Sequence, residues 1–259
     1  MQVLRSRSAL LWLLVLALPA RSALAGDDVP PVRLQGSTTF AGEFLAPFGP
    51  ALEQKAAARL DVVANKSSWG IIALLEGRAD LAMISAPLET EIAGARKIRP
   101  GLAYETLRGF EIARTRIAFA VNPANPVDHL PLAAVARILS GAITSWKDFG
   151  GPDLPILVVA VKEGGGTVAA ARAALIGDVP LPASAVRLES AKHVIKVVAQ
   201  EPAAIGITQL GLVKNSPLHE ITTESNVDQP LSFVTVGEPT AQVLRLIETA
   251  RTLGQHDDN

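Results

Sequence analysis

The chain has 259 residues, of which 49% are hydrophobic and 19% are charged, and its formal net charge at pH 7 is −1. This composition is that of an ordinary globular protein with enough apolar residues for a sizeable core. It lacks the basic excess that nucleic-acid binding requires, and a chain without cysteine has no disulfide, no thiol nucleophile and no lipid-modified cysteine.

The first 25 residues have the pattern of a cleavable signal peptide. Arg5 and Arg7 precede an apolar run at 9–18, and Ala23-Leu24-Ala25 offers a cleavage site. A membrane span needs about 20 apolar residues, so this run is too short for one. Removing Arg5, Arg7 and Arg21 leaves 24 − 3 = 21 basic side chains against 25 acidic ones, a net charge of −4. We therefore expect an exported protein that is free in the periplasm.

From residue 30 onward, short apolar strands alternate with segments of helical periodicity. The predicted strands are 32–34, 60–64, 81–84, 114–121, 156–161 and 204–208. The predicted helices are 43–59, a helix ending at 75, 132–139, 168–176, 194–199 and 240–253. Pro47 and Pro50 predict that the first helix is kinked or begins late. The alternation predicts an α/β fold with mostly parallel sheets.

The expected mature chain of 259 − 25 = 234 residues is long enough for two domains, yet no Gly-, Ser- or Pro-rich linker divides it. We therefore expect two α/β lobes joined by crossing strands. Lobe one is predicted to be discontinuous, with residues 30–115 and 205–259, and lobe two to cover 116–204. In such sheets, ligands bind beyond the carboxyl ends of the strands.

Three segments follow predicted strands, are rich in glycine or hydroxyl residues, and open predicted helices: 36–39, 67–70 and 164–167. A helix start leaves about four backbone N–H groups without intrahelical partners and carries partial positive charge. Any one segment is equally explained by helix capping. Three in one α/β pattern favour a shared anion site.

One further segment, 138–151, carries a helix end, Ser140-Gly141, Trp146 and Gly150-Gly151. It predicts a turn closed by glycine and held by a buried aromatic anchor. It resembles the Ser-Gly…Trp…Gly-Gly segment of phosphate-type periplasmic substrate-binding proteins. Other segments resemble that family's motifs in the same order: 34–40, 67–70, 122–126, 164–167 and 204–207.

The resemblance implies a two-lobe periplasmic-binding-protein fold of class II that captures phosphate or a related small oxyanion between its lobes. It implies an ABC permease and ATPase as partners and no enzymatic activity. We expect a monomer without cofactor, metal or nucleic acid. Ligand contacts are expected at nine positions: Thr38, Thr39, Phe40, Ser67, Ser68, Ser85, Gly165, Gly166 and Thr167.

The sequence departs from the family pattern at three polar positions. Ser85 stands where high-affinity phosphate binders have aspartate, and Gly165 stands where the family has serine. An arginine is expected near Val161 or Lys162, and a lysine does not reproduce its bidentate geometry. Two alternatives therefore stay open: the same fold with a different small ligand, or a signalling or interaction module without transport. Trp69, in a loop position usually held by glycine, could either pack or line a larger pocket.

Overall fold

The computed structural model describes residues 30–162 and 166–255. The predicted signal peptide and the predicted ligand residue Gly165 lie outside the described residues. The strands are β1 (Val32–Ser37), β2 (Leu60–Asn65), β3 (Leu81–Ile84), β4 (Leu107–Val121), β5 (Leu157–Val161), β6 (Val186–Leu188), β7 (Ala204–Gln209), β8 (His219–Ile221) and β9 (Val227–Val236). The α-helices are α1 (Thr38–Phe40), α2 (Ala46–Ala56), α3 (Ser67–Leu75), α4 (Leu88–Ile98), α5 (Leu132–Leu139), α6 (Gly166–Leu175), α7 (Ala191–Gln200), α8 (Leu210–Lys214) and α9 (Ala241–Gly254).

The strands form one mixed sheet in the order β2-β1-β3-β9-β4-β7-β5-β6, and β8 pairs with β4 off this path. Each end of the sheet is parallel: β1 pairs with β2 and β3, and β5 pairs with β6 and β7. The middle is antiparallel, because β9 runs against β3 and β4, and β4 runs against β7 and β8. The predicted α/β class is confirmed, and where mostly parallel sheets were predicted the strands form one mixed sheet that is parallel at its two ends.

The sheet has two halves: the first contains β1 to β3 and β9, and the second contains β5 to β8. The long strand β4 belongs to both halves. Its residues 107–117 pair with β9, and its residues 117–121 pair with β7. One apolar cluster is built around Phe40 and Phe233, and another around Trp146. The cluster around Trp146 includes Ile205 and Ile221. β7 and β8 therefore pack with the cluster around Trp146, and the lobe boundaries stay a prediction.

The first helical segment differs from the predicted one. A helix was predicted from residue 43, but helical backbone begins at Thr38, directly after β1, because Ser37 Oγ accepts a hydrogen bond from the Phe40 N–H (3.1 Å). A π-helical turn, Ala41–Leu45, connects α1 to α2. Pro47 lies in the first turn of α2, and Pro50 follows within the same helix.

The segment around Trp146 has the predicted character. Trp146 is fully buried, and its indole Nε1–H donates to the Ala203 carbonyl oxygen (2.8 Å). A short 3₁₀-helix, Trp146–Phe149, ends at Gly150, whose left-handed backbone (φ 74°) suits glycine. The segment fastens a loop onto the second half of the sheet and lies apart from the cavity described below. Within the two described ranges, no helix has the length and apolar character needed to cross a membrane.

Gly70 sets how closely α3 can approach β1. A Cβ atom at this position would overlap the Gln35 carbonyl oxygen and would crowd the Gly36 Cα. These are backbone atoms, which cannot rotate away. The missing side chain therefore lets the first turn of α3 lie directly against the end of β1.

We predict that Gly70→Ala lowers the free energy of unfolding by about 3 kcal/mol or more, because the overlap forces a backbone shift. The matched control is Gly42→Ala, at an exposed helical position where an added Cβ meets nothing within 4 Å. It should leave stability unchanged or raise it by up to about 1 kcal/mol. Urea denaturation of both variants provides the measurement, and equal stabilities would contradict the argument.

Candidate functional site

A small polar cavity, here called the central cavity, lies where three strands end. Ser37, Asn65 and Val161 are the last residues of β1, β2 and β5, and all three line it. Its volume is about 20 Å³, which is room for about one water molecule. The remaining lining residues come from the helix starts and from the loop before α7: Thr38, Thr39, Lys66, Ser67, Gly166, Thr167, Glu189 and Ala191.

Hydrogen bonds join the two halves of the molecule across the central cavity. Thr39 Oγ1 and Thr167 Oγ1 are 3.2 Å apart, although 128 positions separate them in the sequence. Gln209, the last residue of β7, donates from Nε2 to Thr39 Oγ1 (3.0 Å) and also to Thr167 Oγ1. Gln229 on β9 donates from Nε2 to the Ser85 carbonyl oxygen (2.6 Å) and to Thr167 Oγ1 (3.3 Å).

This network orients the hydroxyl protons. An amide N–H can only donate, so Thr167 Oγ1 accepts from both glutamines and directs its own proton to Thr39 Oγ1. Thr39 Oγ1 then accepts from Thr167 and from Gln209. The Thr39 proton is therefore left for another acceptor. The arrangement offers a hydrogen-bond donor to whatever occupies the cavity.

Gly166 opens α6 at a point of close contact with the other half. A Cβ atom at Gly166 would overlap Ser85 Oγ and would lie 2.9 Å from the Ser85 carbonyl oxygen. Ser85 is itself fully buried, and its Oγ lies 2.7 Å from Ser37 Oγ. The absence of a side chain at Gly166 therefore allows the start of α6 to meet the ends of β1 and β3. The first-turn N–H groups of α3 and α6 have no intrahelical partners and are available near the cavity.

Charged side chains lie at the rim of the central cavity. Lys66 and Glu189 line it, and Glu189 pairs with Lys162. The hydrogen bond from Lys162, together with its charge, holds the pKa of Glu189 below its usual value. Among the described residues, two ammonium groups against one carboxylate give a charge of +1 at the rim. The hydrogen-bonded groups inside the cavity are neutral.

The predicted site residues fall into three groups. Five of them line the central cavity: Thr38, Thr39, Ser67, Gly166 and Thr167. Ser85 lies directly behind it, bonded to Ser37. Phe40 and Ser68 face elsewhere, because the Phe40 ring packs on Phe44 and Phe233 and the Ser68 hydroxyl lies against Gly94 on α4.

Other predictions concern side chains outside these groups. Trp69 is 42% exposed and does not line the central cavity. Lys162 is engaged with Glu189 rather than placed among the hydroxyls. Asp80 forms an ion pair with Arg33 (2.7 Å). Within the described ranges, no group of three or more His, Asp or Glu side chains is placed to hold a metal ion.

Gln209 and Gln229 were not among the predicted site residues. A signal existed for Gln209, which is a polar residue directly after an apolar strand, the position at which ligand contacts are expected in such sheets. Gln229 lies in β9, a strand that was not predicted. Both amides are almost fully buried, and Gln229 Oε1 has no hydrogen-bond partner in the described part of the chain.

A carboxyl group lies behind the residues of the central cavity. Glu91, in the first turn of α4, is 2% exposed. Burial raises its pKa from 4.5 to about 7, and the nearby Ser67 hydroxyl and Ser85 backbone amide partly oppose the rise. Glu91 Oε1, Ser67 Oγ and Ser68 Oγ have no well-formed hydrogen bonds to other described atoms. Three buried polar atoms are thus unsatisfied in one place.

The sequence profile of the PBP superfamily domain matches residues 22–251 of this chain. Phosphate-binding protein PstS of Bacillus subtilis (strain 168) is 28% identical over 174 residues, which are 67% of this chain and 55% of that protein. The aligned region therefore spans little more than half of that relative.

Two solved structures show the same fold. A protein of Clostridium perfringens, assigned as a phosphate ABC transporter substrate-binding protein and solved with bound phosphate, has a TM-score of 0.73 and 24% identity. The similarity covers 88% of this chain and 96% of that one. An ABC-type phosphate transport receptor of Vibrio cholerae has a TM-score of 0.66 and 24% identity, covering 87% of this chain and 96% of that one. The three similar proteins are described as binding proteins or receptors.

We predict that Glu91→Gln stabilises the protein increasingly as pH rises. A pKa raised on folding means that the folded state holds a proton that the unfolded state has lost between pH 4.5 and about 7. Native Glu91 therefore destabilises the fold progressively over this window, by up to about 3 kcal/mol above it.

Urea denaturation of native protein and variant at pH 4, 6 and 8 measures this difference. Glu89→Gln is the matched control, since Glu89 is an exposed carboxylate in the same helical turn. The control should change stability equally at all three pH values. A constant difference for Glu91→Gln would show that Glu91 has an ordinary pKa.

Proposed function

The chain belongs to the PBP superfamily domain family, and we propose that it is a solute-binding protein that captures phosphate or a related small oxyanion. The ligand would bind between two lobes and be delivered to an ABC permease and its ATPase. The predicted signal peptide supports a periplasmic location. The observation that carries the proposal is the central cavity, where oriented hydroxyls and helix starts from both halves converge.

Physical chemistry supports an anion as the occupant. The first turns of α3 and α6 place unpaired N–H groups and the positive ends of their helix dipoles around the central cavity. The amides of Gln209 and Gln229 orient the Thr167 and Thr39 hydroxyls so that a donor is left for the ligand. The rim adds a charge of +1. Each of these features favours an acceptor with negative charge.

The proposed mechanism is hinge closure. Thr39 and Gly166 belong to different halves, and β4 connects those halves through the sheet. We propose that the first lobe includes β1 to β3 and β9, and that the second includes β5 to β8, with β4 shared. A central cavity of about 20 Å³ corresponds to a closed arrangement that must loosen to admit a tetrahedral oxyanion. Contacts from both lobes to the ligand would then favour reclosure.

The neutral interior affects which anion is preferred. Within the part of the chain that the structure describes, no arginine takes part in the hydrogen-bonded network of Thr39, Thr167, Gln209 and Gln229. Hydrogen bonds from neutral donors to an ionised ligand are still worth about 1.5–3 kcal/mol each. Several of them can hold an oxyanion without a guanidinium. The relatives named for phosphate support phosphate as the first ligand to test, with sulfate as the second.

We predict that phosphate binds the purified mature protein and that Thr39→Val and Thr167→Val each weaken binding about 10- to 100-fold. Each change replaces a hydroxyl by a methyl group of similar size: Thr39→Val removes the donor that is left for the ligand, and Thr167→Val removes the hydroxyl that donates to Thr39 and holds that donor in place. Isothermal titration calorimetry with phosphate and with sulfate measures the effect.

Thr252→Val serves as the matched control. Thr252 is exposed on α9 and does not line the central cavity, so this change should leave the affinity for phosphate unchanged. Absence of heat and of any thermal shift with both anions would reject the proposal. Such a result would favour a different small ligand or an interaction module. Binding of sulfate without binding of phosphate would support the proposed site and identify sulfate as its ligand.

A further inference from the structure

The residues behind the central cavity form a buried polar cluster that the proposed ligand site does not explain. Glu91 lies near Ser67, which lines the central cavity, but Glu91 Oε1 and Ser67 Oγ have no hydrogen-bond partner among the described residues. Ser68, next in the chain, also has a buried hydroxyl without a partner. An isolated buried carboxyl is costly, and nearly all such groups in folded proteins are hydrogen-bonded.

Once a side-chain rotation brings Ser67 Oγ into hydrogen-bond contact with the Glu91 carboxyl, the protonation state of Glu91 sets the direction of the Ser67 hydroxyl. An ionised carboxylate can only accept, so it takes the Ser67 proton and turns oxygen lone pairs toward the central cavity. A protonated carboxyl can donate to Ser67 Oγ, which leaves the Ser67 proton for an acceptor in the cavity. An anion in the cavity therefore meets a donor in the second state. In the first state it meets lone pairs and a nearby negative charge.

We infer that Glu91 is a positioning residue of the anion site, which acts through Ser67 so that binding of the anion is coupled to protonation of Glu91. The inference rests on the function proposed above. It assigns to the site a direction of proton movement: the protein takes up a proton from solvent when the anion binds. The anion itself is not chemically changed.

Other charged groups surround Glu91. A second cavity of about 210 Å³ between α4 and α6 is lined by Glu91, by Lys97 on α4, by Arg172 on α6 and by Asp178 after α6. Lys66 precedes α3, the other helix packed on α4. Arg172 donates to the carbonyl oxygens of Asp178 and Val179 (3.1 Å each). Desolvation is nevertheless the largest influence on the pKa of Glu91, which it raises to about 7.

The size of the coupling follows from the fraction of competent protein. With a pKa of about 7 in the ligand-free state, Glu91 is about 90% protonated at pH 6 and about 3% protonated at pH 8.5. If only the protonated form binds well, affinity falls by about 30-fold across this interval. A bound anion raises the pKa further, because it disfavours the carboxylate.

The test compares the phosphate affinity of the native mature protein, Glu91→Gln and Glu89→Gln at pH 6.0 and pH 8.5. The titration of phosphate itself affects all three proteins equally and cancels in the comparison. We expect the native protein and Glu89→Gln to lose about 30-fold more affinity than Glu91→Gln, since glutamine is a permanent donor and does not ionise. Calorimetry at pH 8 in two buffers of different ionisation enthalpy should show about 0.9 more protons taken up by the native protein than by Glu91→Gln.

Ser67→Ala keeps the test informative if the Glu91 variant does not fold. It removes the hydroxyl through which Glu91 acts, and it should lose most of the excess pH dependence together with part of the affinity. Phosphate binding with the same pH profile in native protein and Glu91→Gln overturns this inference and leaves the proposed function standing. Absence of phosphate binding by the native protein at both pH values overturns both.

Discussion

The site depends on backbone contact between segments that are far apart in the sequence. The start of α3 lies against the end of β1 because Gly70 has no side chain, and the start of α6 meets Ser85 because Gly166 has none. These contacts bring first-turn N–H groups and short hydroxyl side chains to one point. Side chains at Gly70 and Gly166 would hold the starts of α3 and α6 farther apart. A small anion could then not contact both helix starts. The close backbone contacts at Gly70 and Gly166 are therefore a precondition for the hydrogen bonds that a ligand in the central cavity would receive.

The polar groups at that point are linked by glutamine amides. In the described residues, Gln209 and Gln229 converge on Thr167 from β7 and β9. An amide can act as donor and acceptor without the desolvation penalty of a buried charge. The same network that orients the hydroxyls also ties the two halves together through Thr39 and Thr167. In the proposed function, ligand recognition and lobe closure thus depend on the same side chains.

The sequence predicted the α/β class and most strands and helices of the site, because apolar strands followed by Gly, Ser or Thr clusters are strong local patterns. The sequence did not predict the elements whose position depends on tertiary contacts instead of on a local residue pattern. β9 contains Pro230, which argues against an interior strand, yet Pro230 lies beyond the stretch of β9 that pairs with β3, at 232–234. Gln229 was missed with that strand. Helix α4 was missed because charged residues interrupt its apolar positions.

The helical periodicity of α4 places Glu91 on the buried face of that helix. Leu88, Glu91, Ile92 and Ala95 share one face of α4 by helical spacing, so the carboxyl is directed toward the interior with its apolar neighbours. A glutamate at such a position lowers stability at neutral pH, and many residues would fill the space with less penalty. Local conflict of this kind is concentrated at functional sites. The carboxyl lies behind Ser67, which lines the central cavity, and this is the place where the proposed coupling requires a group that can gain or lose a proton. A purely structural role would instead favour glutamine or an apolar residue at this position.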